Sequence, residues 1–162
     1  MAADGCLGGS GELDRAVLDA QKAAPLTEAG AAAFTATLMR WTYVGPPPPF
    51  QQVTAKQVLT KDASSYAHRT LSSSHDLKGT TGGFDFTDGR YYVEAFDGTS
   101  AIVSWSATGH ATEATGTVPE DGLVGGSVHL KAVNGTWHYA DQTLERPLLD
   151  IERIGTKYAA GC

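Results

Sequence analysis

The sequence predicts an α+β domain with helices first and an antiparallel sheet second. Three observations lead there. Apolar residues recur at helical spacing up to about residue 43; four consecutive prolines, Pro46 to Pro49, stop that pattern; and from Phe84 onward the period changes to two. The chain has 162 residues, enough for one domain with a substantial core. We divide it into a flexible N-terminus, residues 1–9, and a single α+β domain, residues 10–162.

Ser10 is placed to cap a first helix whose apolar stripe is Leu13, Val17, Ala20 and Ala24, ended by Pro25. A second helix is expected from about Thr27 to Tyr43, with Phe34, Leu38 and Trp41 on one face and Gly30 as its weak point. The prolines then form a stiff connector, or an extended segment for an aromatic groove; the connector is the simpler reading. Thr54 and Gln57 have capping-box spacing and open a short helix carrying Val58 and Leu59; Asp62 caps another with Tyr66, Ala67 and Leu71 inward. Residues 71–83 are the crossover to the sheet.

Asp88-Gly89, Asp97-Gly98 and Asn134-Gly135 each suit the centre of a two-residue hairpin turn, where both positions need positive φ. Taken as turns, they put Phe86 opposite Tyr91, Phe84 opposite Val93, and Val93 opposite Ile102. In the last hairpin they put Ala132 opposite Trp137, Leu130 opposite Tyr139 and Val128 opposite Asp141. Trp137 then belongs to the core. A loop over residues 112–122 joins the hairpins, Arg146-Pro147 ends the last strand, and Leu148 to Ile154 is an apolar tail.

Composition narrows function by exclusion. Hydrophobic residues are 41% and charged residues 19%, and the net charge of −6 comes with no basic cluster, so phosphate neutralisation of a nucleic acid is not expected. The longest nearly apolar run, Ala29 to Met39, is about half of what crosses a bilayer. The residues after Met1 lack the basic start and apolar stretch of a signal peptide. Cys6 and Cys162 have no metal spacing; they are either free thiols or a bridge between the termini, and frayed terminal segments favour free thiols.

Among the five histidines, His129 and His138 share the face opposite Trp137 and Tyr139 with Lys131 and Gln142. Without a nearby carboxylate they make a poor metal pair. His68, His75 and His110 sit at no spacing that implies a metal or a Ser-His-acid site. No phosphate-binding glycine loop or nucleophile elbow occurs. Asn134-Gly135-Thr136 matches a glycosylation sequon, but the turn already accounts for its asparagine. Asp141, on the apolar face beside Tyr139, is the one weak catalytic candidate, a carboxylate whose pKa burial would raise. Tyr92, Glu94, Val103 and Trp105 fall together on the outward face, either as a partner site or as a patch covered by the C-terminal tail or N-terminal helix. We take these four as the candidate interface, and expect no metal and no cofactor.

The order of elements, with Met39-Arg40-Trp41-Thr42-Tyr43 closing a long helix and a Gly-x-Trp hairpin in Ala132 to Asp141, resembles the nuclear transport factor 2-like (cystatin-like) superfamily over residues 27–146. The resemblance implies helices packed on one face of a curved, cone-like, four-stranded antiparallel sheet. It is also similar to the extracytoplasmic domains of conjugation and type IV secretion scaffold proteins. That implies a non-enzymatic assembly domain of a bacterial envelope or DNA-transfer complex, extracytoplasmic and anchored through a membrane segment absent from this chain. Its partners would be other protein subunits or a second copy. The alternative within the superfamily is a small-molecule-binding protein, or an isomerase- or dehydratase-like enzyme using the cone between helix and sheet. The inward residues are mostly aromatic and aliphatic, with only Asp141 to serve as acid or base, and this favours the assembly reading.

Overall fold

The computed structural model describes residues 3–8, 13–42, 52–73, 81–112 and 122–160. Ser10, Pro46 to Pro49, His75, most of the expected 112–122 loop and Cys162 lie outside them. The elements are α1 (Leu13–Ala23), α2 (Glu28–Thr42), α3 (Gln52–Val58), α4 (Ser65–Ser73), β1 (Thr81–Phe96), β2 (Ser100–Thr112), β3 (Gly122–Val133), β4 (Thr136–Thr143), α5 (Leu148–Ile154) and β5 (Thr156–Lys157). The strands form one antiparallel sheet in the order β4-β3-β2-β1-β5. The α+β class is as expected; the strand number is five instead of four, because the C-terminal tail adds β5 to the far edge.

Helix α2 is the axis of the core, buried from Gly30 to Thr42. Thr27 Oγ1 accepts from the Gly30 N–H at 3.0 Å and caps it. Gly30 is a requirement of packing, since a Cβ there would stand 1.9 Å from the Pro25 carbonyl oxygen. Helix α1 is tied to α2 by the Trp41 indole, which donates to Asp14 at 2.6 Å. Two short-helix caps are corrected. Thr54 lies inside α3 and not at its start. The cap of α4 is Ser64, whose Oγ accepts from the Ala67 N–H at 3.1 Å, and not Asp62.

The sheet departs from expectation at the first two Asp-Gly pairs. Strand β1 runs straight through Asp88-Gly89: Asp85 pairs with Thr108 and Arg90 with Ser106, so the residues between bulge out. Gly89 does not have positive φ. Its missing side chain serves close approach instead, since a Cβ would stand 2.8 Å from the Ser106 carbonyl. The Phe86–Tyr91 and Phe84–Val93 pairs therefore do not exist. Asp97-Gly98 does turn the chain, with Gly98 at φ +87, but the loop is longer than two residues. Asp97 Oδ1 accepts from the Thr99 N–H at 2.8 Å and the Ser100 N–H at 2.7 Å, which leaves Phe96 opposite Ala101. These bonds hold the Asp97 carboxyl down at about 2. Val93 faces Val103 and not Ile102. The four-residue loop alone would keep each side chain on its expected face; the bulge between Val93 and Ala95 supplies the one-residue slip that exchanges them.

Asn134-Gly135 behaves as expected, with φ of 50 and 82. Ala132 pairs with Trp137 and Leu130 with Tyr139. A bulge beyond Tyr139 then puts His129, not Val128, opposite Asp141. Trp137 is fully buried, its indole donating to the Pro25 carbonyl at 2.9 Å and its own carbonyl accepting from Gln21 Nε2 at 2.8 Å.

The inner face of the sheet carries Phe86, Val103, Trp105, Val128, Leu130, Trp137 and Tyr139, all buried, with α2 against β1 and β2 and with α1, α3 and α4 against β4. The apolar tail expected at residues 148–154 is helix α5, which lies across the other face: Ser106 Oγ donates to Glu152 there, and Ile151 is buried. The N-terminus is also pinned. Gly5 N–H donates to the Ala160 carbonyl at 2.6 Å and Ala159 N–H to that of Ala3 at 2.7 Å. Arg40 Nη1 donates to the Gly5 carbonyl at 3.1 Å. Cys6 is disulfide-bonded, which corrects the expectation of free thiols, because the segment around it is packed on α2 and the C-terminal tail and is not frayed.

Candidate functional site

The four residues expected to form one outward patch separate. Val103 and Trp105 lie in the core at 0% and 2% exposure. The Trp105 ring packs, tilted, with its centre 5.3 and 5.5 Å from those of Phe84 and Phe86. The bulge between Val93 and Ala95 explains the difference. Tyr92 and Glu94 do share the outer face, where Arg146 closes over them. Its guanidinium donates from Nε and Nη2 to the two Glu94 oxygens, at 2.8 Å each, and lies 4.5 Å from the Tyr92 ring centre.

Beneath this clamp runs a buried polar seam that sequence reasoning missed. Ser104 Oγ donates to Glu94 Oε1 at 2.7 Å and lies 2.7 Å from Ser127 Oγ, which accepts from the Glu145 N–H at 3.0 Å. Serines alternating with apolar residues on a strand read as solvent-facing, so nothing local marked Ser104, Ser106 and Ser127 as buried. The seam fastens the C-terminal segment to the sheet. The two hydrogen bonds from Arg146, with that from Ser104, hold the Glu94 carboxyl below its ordinary range against the opposing effect of burial.

A folded-state pKa depressed in this way contributes stability above the unfolded pKa, lost as pH falls through the folded value. Glu94→Gln is therefore expected to flatten the acid limb of stability against pH relative to wild type. Glu94→Ala, which strands Ser104 and Arg146, is expected to cost about 2 kcal/mol near neutral pH. Denaturant melts across a pH series check both.

Asp141 is not on the apolar face. The bulge turns it to the outer side, where it accepts from Ser64 Oγ and from the Gln142 N–H at 2.8 Å. The Ser64 bond is the leading cause that lowers its pKa, the reverse of the raised value a buried base would show. Asp141, Ser64, His129, Lys131 and Asp62 line a cleft of about 340 Å³, in which Ser64 is bonded to Asp141. Lys131 Nζ is 2.9 Å from Asp62 Oδ2. His129 Nε2 sits 2.8 Å from Thr143 Oγ1, and His138 Nε2 is 3.1 Å from Thr136 Oγ1, so the two rings have separate partners. Gln142, expected beside them, is carried to the inner face by the same bulge. Among the described residues no three His, Cys, Asp or Glu side chains gather as a metal site, and no helix is long and apolar enough to cross a membrane.

The larger opening is a groove of about 870 Å³ between the start of α2 (Pro25, Thr27, Glu28, Ala29) and the outer edge of the sheet (Tyr91, Tyr92, Val93, Thr156). The two sheet edges differ. Residues 59–64 run along β4, with the Thr60 and Ser64 N–H groups donating to Tyr139 and Ala140 carbonyls at 2.9 Å each. On β1, strand β5 pairs only with Arg90 and Tyr91. Among the described residues, Tyr92 to Phe96 have no strand on their outer side, and the groove lies beside them.

The fold and groove define an α+β domain with helices on an open five-stranded antiparallel sheet. No protein-family description matches the chain, and no curated protein does. Among solved structures, Aln2 from a Streptomyces species is similar at a TM-score of 0.39 and 16% identity, over 60% of this chain and 77% of that one. A likeness at that level carries no argument about function.

Proposed function

We propose that this chain is a non-enzymatic assembly domain, nuclear transport factor 2-like in architecture, whose open β1 edge pairs with the same edge of a second copy. The observation that carries the reading is the contrast between the edges: β4 is met at Trp137, Tyr139 and Ala140 by Gln21 and residues 59–64, whereas Tyr92 to Phe96 of β1 are left without a strand among the described residues, beside a groove. Unpaired edge N–H and C=O groups are a template for another strand. A two-fold axis beside the groove brings two antiparallel β1 edges together and joins two sheets into one. Tyr91, Val93 and Ala29 line that approach in place of the outward patch expected from the sequence. An extracytoplasmic place in an envelope complex belongs to the same proposal, supported by the disulfide at Cys6, since such bonds persist in oxidising compartments.

Lysine on an edge strand opposes pairing. Val93→Lys, in the groove, and Ala95→Lys, at an exposed position, are therefore expected to give monomers under conditions where wild type sediments as a dimer. Circular dichroism establishes that each variant folds. A wild type that stays monomeric at all concentrations, or lysine variants that associate like wild type, would contradict the proposal.

A further inference from the structure

The cleft of about 340 Å³ beside β4 is lined by Asp141, Ser64, His129 and Ile102 among others. It lies on the outer face of the sheet: Leu130 points into the core, so its neighbours His129 and Lys131 point outward. His129 stands opposite Asp141 on β4 and opposite Ile102 on β2, which puts the three in one cross-strand row. The hydrogen bonds around this row leave two acceptors over.

Asp141 uses one carboxylate oxygen twice, since Oδ1 accepts both from Ser64 Oγ and from the Gln142 N–H. Oδ2 has no donor among the described residues. Ser64 does not supply one, because its single proton goes to Oδ1 and its oxygen accepts from the Ala67 N–H at 3.1 Å. His129 is oriented from its other side. Thr143 Oγ1 donates its proton to Glu145 Oε1 at 2.7 Å, so toward the ring, at 2.8 Å, it accepts. That assigns the hydrogen of the neutral imidazole to Nε2 and makes Nδ1 a bare acceptor, to which no described residue donates. The row also carries charge. The Ser64 bond, against the opposing effect of burial, holds the Asp141 carboxyl below its ordinary range. Lys131, which lines the same cleft, is matched by Asp62 at 2.9 Å, and Glu145 Oε1 lies 3.5 Å from His129 Nε2.

We propose that this cleft binds the primary ammonium group of a small aliphatic amine, with Asp141 Oδ2 and His129 Nδ1 accepting two of its hydrogens and the half-buried Ile102 against its carbon chain. Two acceptors on facing residues suit a ligand with at least two donors, and the carboxylate favours a cation. A metal ion would find no third His, Cys, Asp or Glu gathered with them among the described residues. An anion would meet both Asp141 and Asp62. This binding goes beyond the assembly reading and does not depend on it, because the cleft borders β4 and the proposed pairing uses β1.

The test titrates isopentylamine into ¹⁵N-labelled protein at about pH 8, where the amine is an ammonium and an ordinary imidazole is neutral. The backbone amides of Ile102, His129 and Asp141 are expected to shift saturably. Isopentyltrimethylammonium keeps the charge without the N–H donors, and isopentanol keeps a donor without the charge. Each is expected to bind at least about tenfold more weakly. Asp141→Asn retains an oxygen for Ser64 and Gln142 but removes the charge, and His129→Phe retains a ring but removes Nδ1. Each is expected to weaken isopentylamine about tenfold with the remaining spectrum unchanged. No saturable shift with isopentylamine overturns the proposal. So does equal binding of the trimethyl analogue, which would reduce the effect to attraction by a net charge of −6. Equal binding of isopentanol, or unaltered binding in whichever variant folds, overturns it as well. Should neither variant fold, the three ligands on the wild-type chain decide.

Discussion

Trp105→Glu is expected to leave the protein unfolded. The indole is 2% exposed between Phe84 and Phe86, and a carboxylate in its place would have no described cation within the inner face. An unpaired buried charge costs several kcal/mol, and a domain of this size has only about 5–15 kcal/mol in hand. Loss of the far-UV dichroism of the folded state, and of any cooperative thermal transition, is the expected observation. A soluble variant melting near wild type would place Trp105 on the outer face, and the β2 register would then be wrong by one residue. The substitution discriminates because the register implied by a two-residue Asp97-Gly98 turn has the opposite consequence.

Trp137→Ala is expected to cost about 3–5 kcal/mol. The side chain is fully buried, its ring lies 6.4 Å from that of Phe96, and its indole satisfies the carbonyl of Pro25 at the α1–α2 junction. Truncation removes the packing and strands a carbonyl where two helices meet the sheet. Denaturant unfolding measures the loss, with the slope showing whether the transition remains two-state. A loss below about 1 kcal/mol would remove β4 from the core.

These outcomes bear on what was legible in the sequence. Helices α1 and α2 were readable because spacing and a proline stop are local signals, and both observed spans, Leu13–Ala23 and Glu28–Thr42, fall close to expectation. The last hairpin was readable because Asn134-Gly135 needs positive φ and has it. Asp88-Gly89 carries an equivalent turn signal for another reason, the close approach of Gly89 to Ser106, and no local rule separates the two uses. At Asp97 the turn was recognised but its length was not, since Thr99 and Ser100 N–H groups extend the Asp97 cap. The extra loop residues come as a pair and keep the faces; it is the bulge between Val93 and Ala95 that moved Val103 and Trp105 from the expected interface into the core, and the bulge after Tyr139 moved Asp141 the other way. The Arg146 clamp and the serine seam join residues about 50 and 20 positions apart, on the order of separations at which pattern reading has no signal.

The assembly reading rests on the outer side of Tyr92 to Phe96, and backbone amide exchange reports on that side directly. Hydrogen–deuterium exchange followed by mass spectrometry, at low and high protein concentration, measures it peptide by peptide. The account predicts that raising the concentration slows exchange in the peptide spanning Tyr92 to Phe96 and leaves β4 and α2 unchanged. Association with no added protection in that peptide, or with protection confined to another surface, would contradict it.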